Sequence, residues 1–315
     1  MPDRCPVTVV SGFLGSGKTT LLRRMLGPAG GSGIAIVVNE VGAIGLDHEL
    51  VREIADQVSL LGGGCACCER RDDLVQVLRE LLDLHQRGTV PPLRRVIIET
   101  SGLADPAPVL FTLATDPVLQ HHFAVEGLLA TVDALQGSAQ LDRYEESRKQ
   151  VVVADRLLLT KTDLVEPAVV SRLEARLREL NPSAEIVRGG FDEPIGPALL
   201  EVVPGDRSYA APGVGHESTG CLTLSFPEPV DWIAFSVWLS MLLHAHGPQI
   251  LRVKALLDAA GMGPVAVNAV QHVVHAPEHL PAWPSEDRAS RLVVVARGLE
   301  TAQLRRSLQR FLRAA

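Results

Sequence analysis

Two short segments carry most of the chemistry in this sequence. The first, Gly12-Phe13-Leu14-Gly15-Ser16-Gly17-Lys18-Thr19, fits G-x-x-x-x-G-K-S/T at every fixed position, and it lies between the apolar run VTVV and the helical pattern TLLRRML. Glycine lets a backbone wrap a phosphate without Cβ clashes, so successive N–H groups and a helix N-terminus can point at a β-phosphate. Gly12, Gly15, Ser16, Gly17 and Thr20 are therefore expected to contact nucleotide. Lys18 adds a point charge toward the β- and γ-phosphates, and the Thr19 hydroxyl is placed to ligate Mg²⁺.

The second is Gly62-Gly63-Gly64-Cys65-Ala66-Cys67-Cys68, which follows the run VSLL. Thiols this close, beside flexible glycines, can converge on one soft ion. A nearby helix N-terminus, with Arg70 and Arg71, favours the thiolate forms. Metal binding is the reading that this spacing favours over structural or redox roles, and the fourth ligand is open among Glu40, water and a group from elsewhere. Cys5 and Cys221 read as ordinary structural cysteines. The histidines, including His272, His275 and His279 and the pair His121-His122 in an expected loop, read as scattered core or surface residues.

Two strand tips supply what a phosphate site needs further. RRVIIE ends in Glu99 and continues Thr100-Ser101-Gly102, so a carboxylate can reach the Mg²⁺ shell or an attacking water, and the Gly102 N–H can contact a γ-phosphate. RLLL runs into Thr160-Lys161-Thr162-Asp163, which resembles the Asn-Lys-x-Asp guanine motif with Thr in first place. Asp163 can accept two hydrogen bonds from guanine N1–H and its exocyclic amine, a donor pair that adenine lacks. The aliphatic stem of Lys161 would lie over the base plane.

Holding these tips together requires a sheet. Strand-like runs, Val7 to Val10, Ile34 to Val38, Val96 to Ile98, Leu128 to Val132, Arg156 to Leu159 and Glu185 to Val187, alternate with helical patterns at Thr19 to Leu26, Asp73 to His85, Ala107 to Thr115 and Pro167 to Leu180. Asp72 or Asp73 is a candidate cap for the second helix. That alternation predicts an α/β fold with a mostly parallel sheet flanked by helices over residues 1–203. PGDRSYAAPGVGHESTG reads as a linker at 204–219. The remainder, 220–315, with strand-like Cys221 to Phe226 and Arg291 to Val295 and helices around Asp231 to Leu243 and Thr301 to Leu312, predicts a smaller α+β domain.

Composition narrows the function classes. The 315 residues are 46% hydrophobic and 21% charged, enough for two domains with real cores, and with aromatics at only 4% the packing is aliphatic. A net charge of −7 without a basic stripe sets nucleic acid aside. No apolar run approaches the ~18 residues of a bilayer span, and the phosphate loop begins too near Met1 to leave room for a cleavable signal, so a cytoplasmic location is expected.

Together GFLGSGKTT from Gly12, NEVGAIGLD from Asn39, GGCACC from Gly63, ETSGLADPAPV from Glu99 and TKTD from Thr160 resemble the CobW family of P-loop GTPases, metallochaperone-like relatives of the urease and hydrogenase nickel-insertion GTPases. The C-terminal ILRVKALL, VQHVVH, LPAWP and SRLVVVARGL are similar to that family's second domain. The resemblance implies a P-loop NTPase fold and a GTPase using GTP/GDP and Mg²⁺. It implies a catalytic set of Lys18, Glu40, Glu99 and Gly102, and a metal set of Cys65, Cys67 and Cys68 with Glu40 in the first switch. Zn²⁺ is the expected cargo and Co²⁺ the next. The expected partners are a client metalloprotein that accepts the metal and a second copy of the chain, without nucleic acid or membrane. Ala43 stands where the family's first switch often has Glu, and the absence of a histidine-rich tract argues against bulk metal storage. GTP with Mg²⁺ is expected to order Asn39 to Asp47 and Ser101 to Asp105 and so position the cysteine loop. A regulatory GTPase with a structural zinc, and an ATP-dependent kinase-like enzyme, are the competing readings.

Overall fold

The aliphatic run around Val7, Val9 and Val10 is fully buried because its strand lies mid-sheet with both faces covered. The computed structural model describes residues 4–25, 33–39, 71–189, 199–200, 219–271, 273–284 and 288–314. The chain divides into two units, Met1–Leu173 with Ile186–Val202, and Glu174–Glu185 with Val203–Ala315.

The strands of the first sheet are β1 (Cys5–Gly12), β2 (Ile34–Asn39), β3 (Arg95–Thr100), β4 (Phe123–Asp133), β5 (Arg156–Thr160) and β6 (Glu185–Gly189), in the order β2-β3-β1-β4-β5-β6. β1 pairs in parallel with β3 and β4, β2 with β3, and β4 with β5. Strand order therefore reverses around β1, the kind of position where the carboxyl ends of an open α/β sheet leave a ligand crevice. The register brings Val10 opposite Glu99 and Gly12 opposite Thr131.

The intervening helices are α1 (Lys18–Met25), α2 (Arg71–Gln86), α3 (Ala107–Thr115), α4 (Pro117–His122), α5 (Gly137–Arg143), α6 (Glu145–Val153) and α7 (Pro167–Leu180). α2 begins at Arg71, which places Asp72 and Asp73 in its first described turn rather than before it. His121 and His122 are not in a loop: they end α4, a separate helix that starts because Asp116 accepts from the Val118 and Leu119 N–H groups at 3.0 Å with Pro117 behind it. Aspartate at the cap followed by proline starts a helix as readily as it breaks one.

The second unit holds β7 (Thr219–Phe226), β8 (Ile250–Ala259), β9 (Gly263–Val270), β10 (Val273–Val274), β11 (Glu278–His279) and β12 (Ser290–Arg297), with α8 (Trp232–His246) and α9 (Thr301–Ala314). The order is β10-β9-β8-β12-β7, with β11 on β9 and every pairing antiparallel. Asp231 caps α8 by accepting from the Ala234 N–H at 2.7 Å. Phe235, Trp238, Leu239 and Leu242 pack with Val253, Leu257, Val265, Val267, Leu292, Leu304 and Leu308 into one core. The α+β expectation is met, with strands β8 to β11 lying between the two runs read from sequence. Residues 204–218 of the expected linker lie outside the described residues, and Thr219 opens β7. Among the described residues no helix is long and apolar enough to cross a membrane.

Leu129, fully buried in β4, should cost about 2–5 kcal/mol when truncated to alanine. Leu135→Ala, at a side chain 50% exposed, should stay within about 0.5 kcal/mol. Urea unfolding of both variants checks the contrast.

Candidate nucleotide and metal site

The phosphate loop leaves the end of β1 and enters α1 at Lys18. Gly12, Gly15 and Gly17 have φ of +140°, +71° and +92°, a region that disfavours side chains. At Gly12 space is also closed: a Cβ would come within 2.3 Å of Thr131 Oγ1 and 2.5 Å of the Thr131 carbonyl. Ser16 is buried and shares a 2.6 Å hydrogen bond with Thr131, so its side chain holds the loop to β4. Lys18 Nζ donates to the carbonyls of Gly12 at 2.7 Å and Phe13 at 3.2 Å, curling the cation over the loop. Thr20 follows in α1 and is exposed.

The tip of β3 meets this loop from the other side. Thr19 Oγ1 donates to Glu99 Oε1 at 3.2 Å, which joins the hydroxyl and carboxylate expected at Mg²⁺ although they stand 80 residues apart. Glu99 is buried at 5% exposure. The donor pair is two oxygens, one of them a carboxylate, which suits a hard cation. Thr100 Oγ1 donates to Ser11 Oγ at 2.9 Å, closing the seam between β3 and β1. Gly102 lies against the loop itself: a Cβ there would fall 2.8 Å from the Leu14 nitrogen and 2.9 Å from its Cα.

The TKTD segment ends β5 and packs on the same loop. The Thr160 hydroxyl donates to the Ser16 carbonyl at 2.8 Å, so threonine in the first place of the motif ties β5 to the phosphate loop. Lys161 has φ +57°, and its Nζ donates to the Gly15 carbonyl at 2.9 Å and pairs with Asp133 Oδ2 at 2.6 Å. Asp163 sits in the exposed 3-10 turn Thr162–Leu164 that follows.

Sequence reasoning missed Thr131, Asp133, Gln150 and Tyr144. Asp133 ends β4, and a carboxylate at the carboxyl tip of an apolar strand was a readable signal. The Tyr144 ring stacks on Phe13 with centroids 4.6 Å apart, a contact with no sequence signal. Glu40, Cys65, Cys67 and Cys68 lie outside the described residues. Among the described residues no group of three or more His, Cys, Asp or Glu is placed to hold a metal.

A nucleotide-binding P-loop protein is the class that this fold and loop define. Residues 6–188 match the CobW/HypB/UreG nucleotide-binding domain, and residues 220–312 match the cobalamin synthesis protein cobW C-terminal domain. The chain belongs to the CobW/HypB/UreG family. It is 32% identical over 309 residues to the zinc chaperone YjiA of Escherichia coli (strain K12), covering 95% of this chain and 96% of that protein. It is 33% identical over 229 residues to the zinc chaperone CobW of Pseudomonas aeruginosa, covering 62% of this chain and 60% of that one. The crystal structure of the Zn(II)-bound YjiA GTPase from E. coli matches with a TM-score of 0.75 at 25% identity, over 98% of this chain and 99% of that one. A Zn(II)-bound triple mutant of YjiA, with one glutamate and two cysteines changed to alanine, matches with a TM-score of 0.76.

Gly102→Ala should lower the hydrolysis rate about 100-fold, because the new methyl must displace loop backbone. Steady-state phosphate release measures it, and an unchanged rate would separate Gly102 from the reaction. Burial pushes the thiols of Cys5 and Cys221 up to about 11, a shift that the Arg95 charge partly opposes at Cys5. Both should react slowly with a disulfide reagent near neutral pH, speeding up about tenfold per pH unit as thiolate forms. Stopped-flow thiol titration across the alkaline range reads this, and fast labelling of either at neutral pH would contradict it.

Proposed function

We propose that this chain is a GTP-hydrolysing metallochaperone that binds a transition metal through Cys65, Cys67 and Cys68 and passes it to a client metalloprotein. Zn²⁺ is the leading cargo and Co²⁺ the next, with Glu40, water or a further group completing the shell. The observation that carries the reading is the 3.2 Å meeting of Thr19 and Glu99 beneath a glycine loop, in a chain of this family whose sequence also carries the Cys-x-Cys-Cys segment.

In the GTPase reaction Lys18 exchanges its two carbonyl acceptors for phosphate oxygens, a stronger charge-assisted pairing. Thr19 and Glu99 would hold Mg²⁺, and the ion would supply charge neutralisation at the phosphates. Glu99, or Glu40 from the first switch, orients the attacking water, and the Gly102 N–H stands to the γ-phosphate. Asp163 selects guanine by accepting from two donors of the base, so GTP should outcompete ATP.

Two magnitudes decide how delivery works. Allosteric coupling is typically ~1–3 kcal/mol, whereas zinc held by a full thiolate set is worth roughly 10–16 kcal/mol. Hydrolysis alone does not expel such an ion, so the client must take it by ligand exchange. We assign the domains as 1–203, 204–219 and 220–315, supported by the two family matches on either side of the linker. The cytoplasm is the assigned compartment, as reduced thiolates require.

Zinc content alone is a poor test, since the YjiA variant lacking one glutamate and two cysteines is also zinc-bound. The informative measurement is competitive zinc affinity with a GTP analogue and with GDP, on wild type and Cys67→Ala. We expect tighter binding in the GTP state, about fivefold or more, and loss of that difference in the variant. Equal affinities in both nucleotide states would remove the switch. Zinc that stays bound through many turnovers beside an apo acceptor would make the chain a regulatory GTPase with a structural zinc.

A further inference from the structure

The segment from Ser101 to Asp105 rests on α6. Gln150 is 1% exposed, and its Nε2 donates to the Gly102 carbonyl and the Ala104 carbonyl, each at 3.0 Å. The orientation of this amide is dictated by its partners, because its oxygen could not face two carbonyls. Its Oε1 is buried and has no hydrogen-bond partner among the described residues. Buried acceptors are rarely left so, and each case calls for an explanation. Two further contacts join the same part of the chain to the site: Lys149 Nζ lies 4.0 Å from Asp105 Oδ2, and Tyr144, just before α6, stacks on Phe13 of the phosphate loop.

We infer that Gln150 is a positioning residue for Gly102, holding the backbone of 102–104 at the distance from the phosphate loop that hydrolysis needs. The inference rests on the GTPase reading above. Gly102 cannot be held by a side chain of its own, since a Cβ would meet Leu14 backbone. Its carbonyl is therefore the handle, and Gln150 grips that carbonyl together with the one two residues on. The spare acceptor gives the same amide a second mode: if the loop turns an N–H inward when a γ-phosphate engages Gly102, Oε1 accepts it in place of the bonds that Nε2 gives up. One side chain then serves two loop arrangements, and α6, stacked on Phe13 through Tyr144, registers which is present.

The test compares Gln150→Met, which keeps the size of the side chain and removes its donors, and Gln150→Glu, which leaves at most one donor for two carbonyls, with Val151→Ala, which removes buried volume from the same helix. Steady-state GTP hydrolysis, GDP affinity and Tm are measured on each full-length protein. Both Gln150 variants should lose about tenfold in kcat, with KM for GTP and GDP affinity within about twofold, since the contacts made by Lys18, Thr160 and Lys161 remain. Val151→Ala should lower Tm and leave kcat within about twofold. Wild-type kcat in the Gln150 variants, or losses in KM, kcat and Tm that track those of Val151→Ala, would overturn the positioning role. A wild-type protein without GTPase activity would instead overturn the reading beneath it.

Discussion

Main chain pressed on main chain at the carboxyl tip of β1 is the constraint from which the rest of the site follows. Gly12 approaches Thr131 on one side, and Leu14 lies under Gly102 on the other, each within 3 Å of where a Cβ would stand. Side chains adapt by changing rotamer, but backbone packed at that distance moves only with its whole element. A displacement of the loop by phosphate is therefore passed to β4 and to the 102–104 turn rather than absorbed. The sheet order makes this geometry available, since β1 has β3 and β4 as its neighbours and both deliver their polar residues at the same end.

Around that contact the buried polar groups satisfy one another. Ser11 pairs with Thr100, Ser16 with Thr131, Thr160 with the Ser16 carbonyl, and Asp133 with Lys161. In a poorly solvated site each such bond is strong and each broken one is expensive, which favours a loop of one defined shape. Lys161 Nζ touches both the phosphate loop and β4, while Asp163, the proposed guanine reader, follows two residues later. The proposed base site and the phosphate loop thus share a fastening.

The first sheet was largely legible because strands covered on both faces read as unbroken aliphatic runs, and all six expected runs fall inside observed strands. β8 and β9 were harder. ILRVKALLDA is a strand in which Arg252 and Lys254 are buried at 3% and 8% exposure, and charged residues within such a run mimic a helix pattern. α6 was missed for the opposite reason, since its final Val151 to Val153 carries strand propensity that tertiary packing overrides. The motif residues were legible because their chemistry is local in sequence. Thr131 and Gln150 were not, because their roles arise from pairings 46 to 120 residues apart.

The same register bears on how a thiolate segment could sense phosphate. β2 ends at Asn39, and Asn39 pairs with Thr100, the residue after Glu99 and two before Gly102. Asn39, the last described residue before Glu40, therefore lies beside the strand tip that carries Glu99, the carboxylate proposed to hold Mg²⁺. At the far end of residues 40–70 the chain re-enters described structure at Arg71, the start of α2. A shift of the β3 tip would move Asn39, the residue that precedes that segment in the sequence. Under the proposed function, coupling of ~1–3 kcal/mol needs only two alternative placements of this strand end, one of them favoured by phosphate and carried along the sequence that follows Asn39.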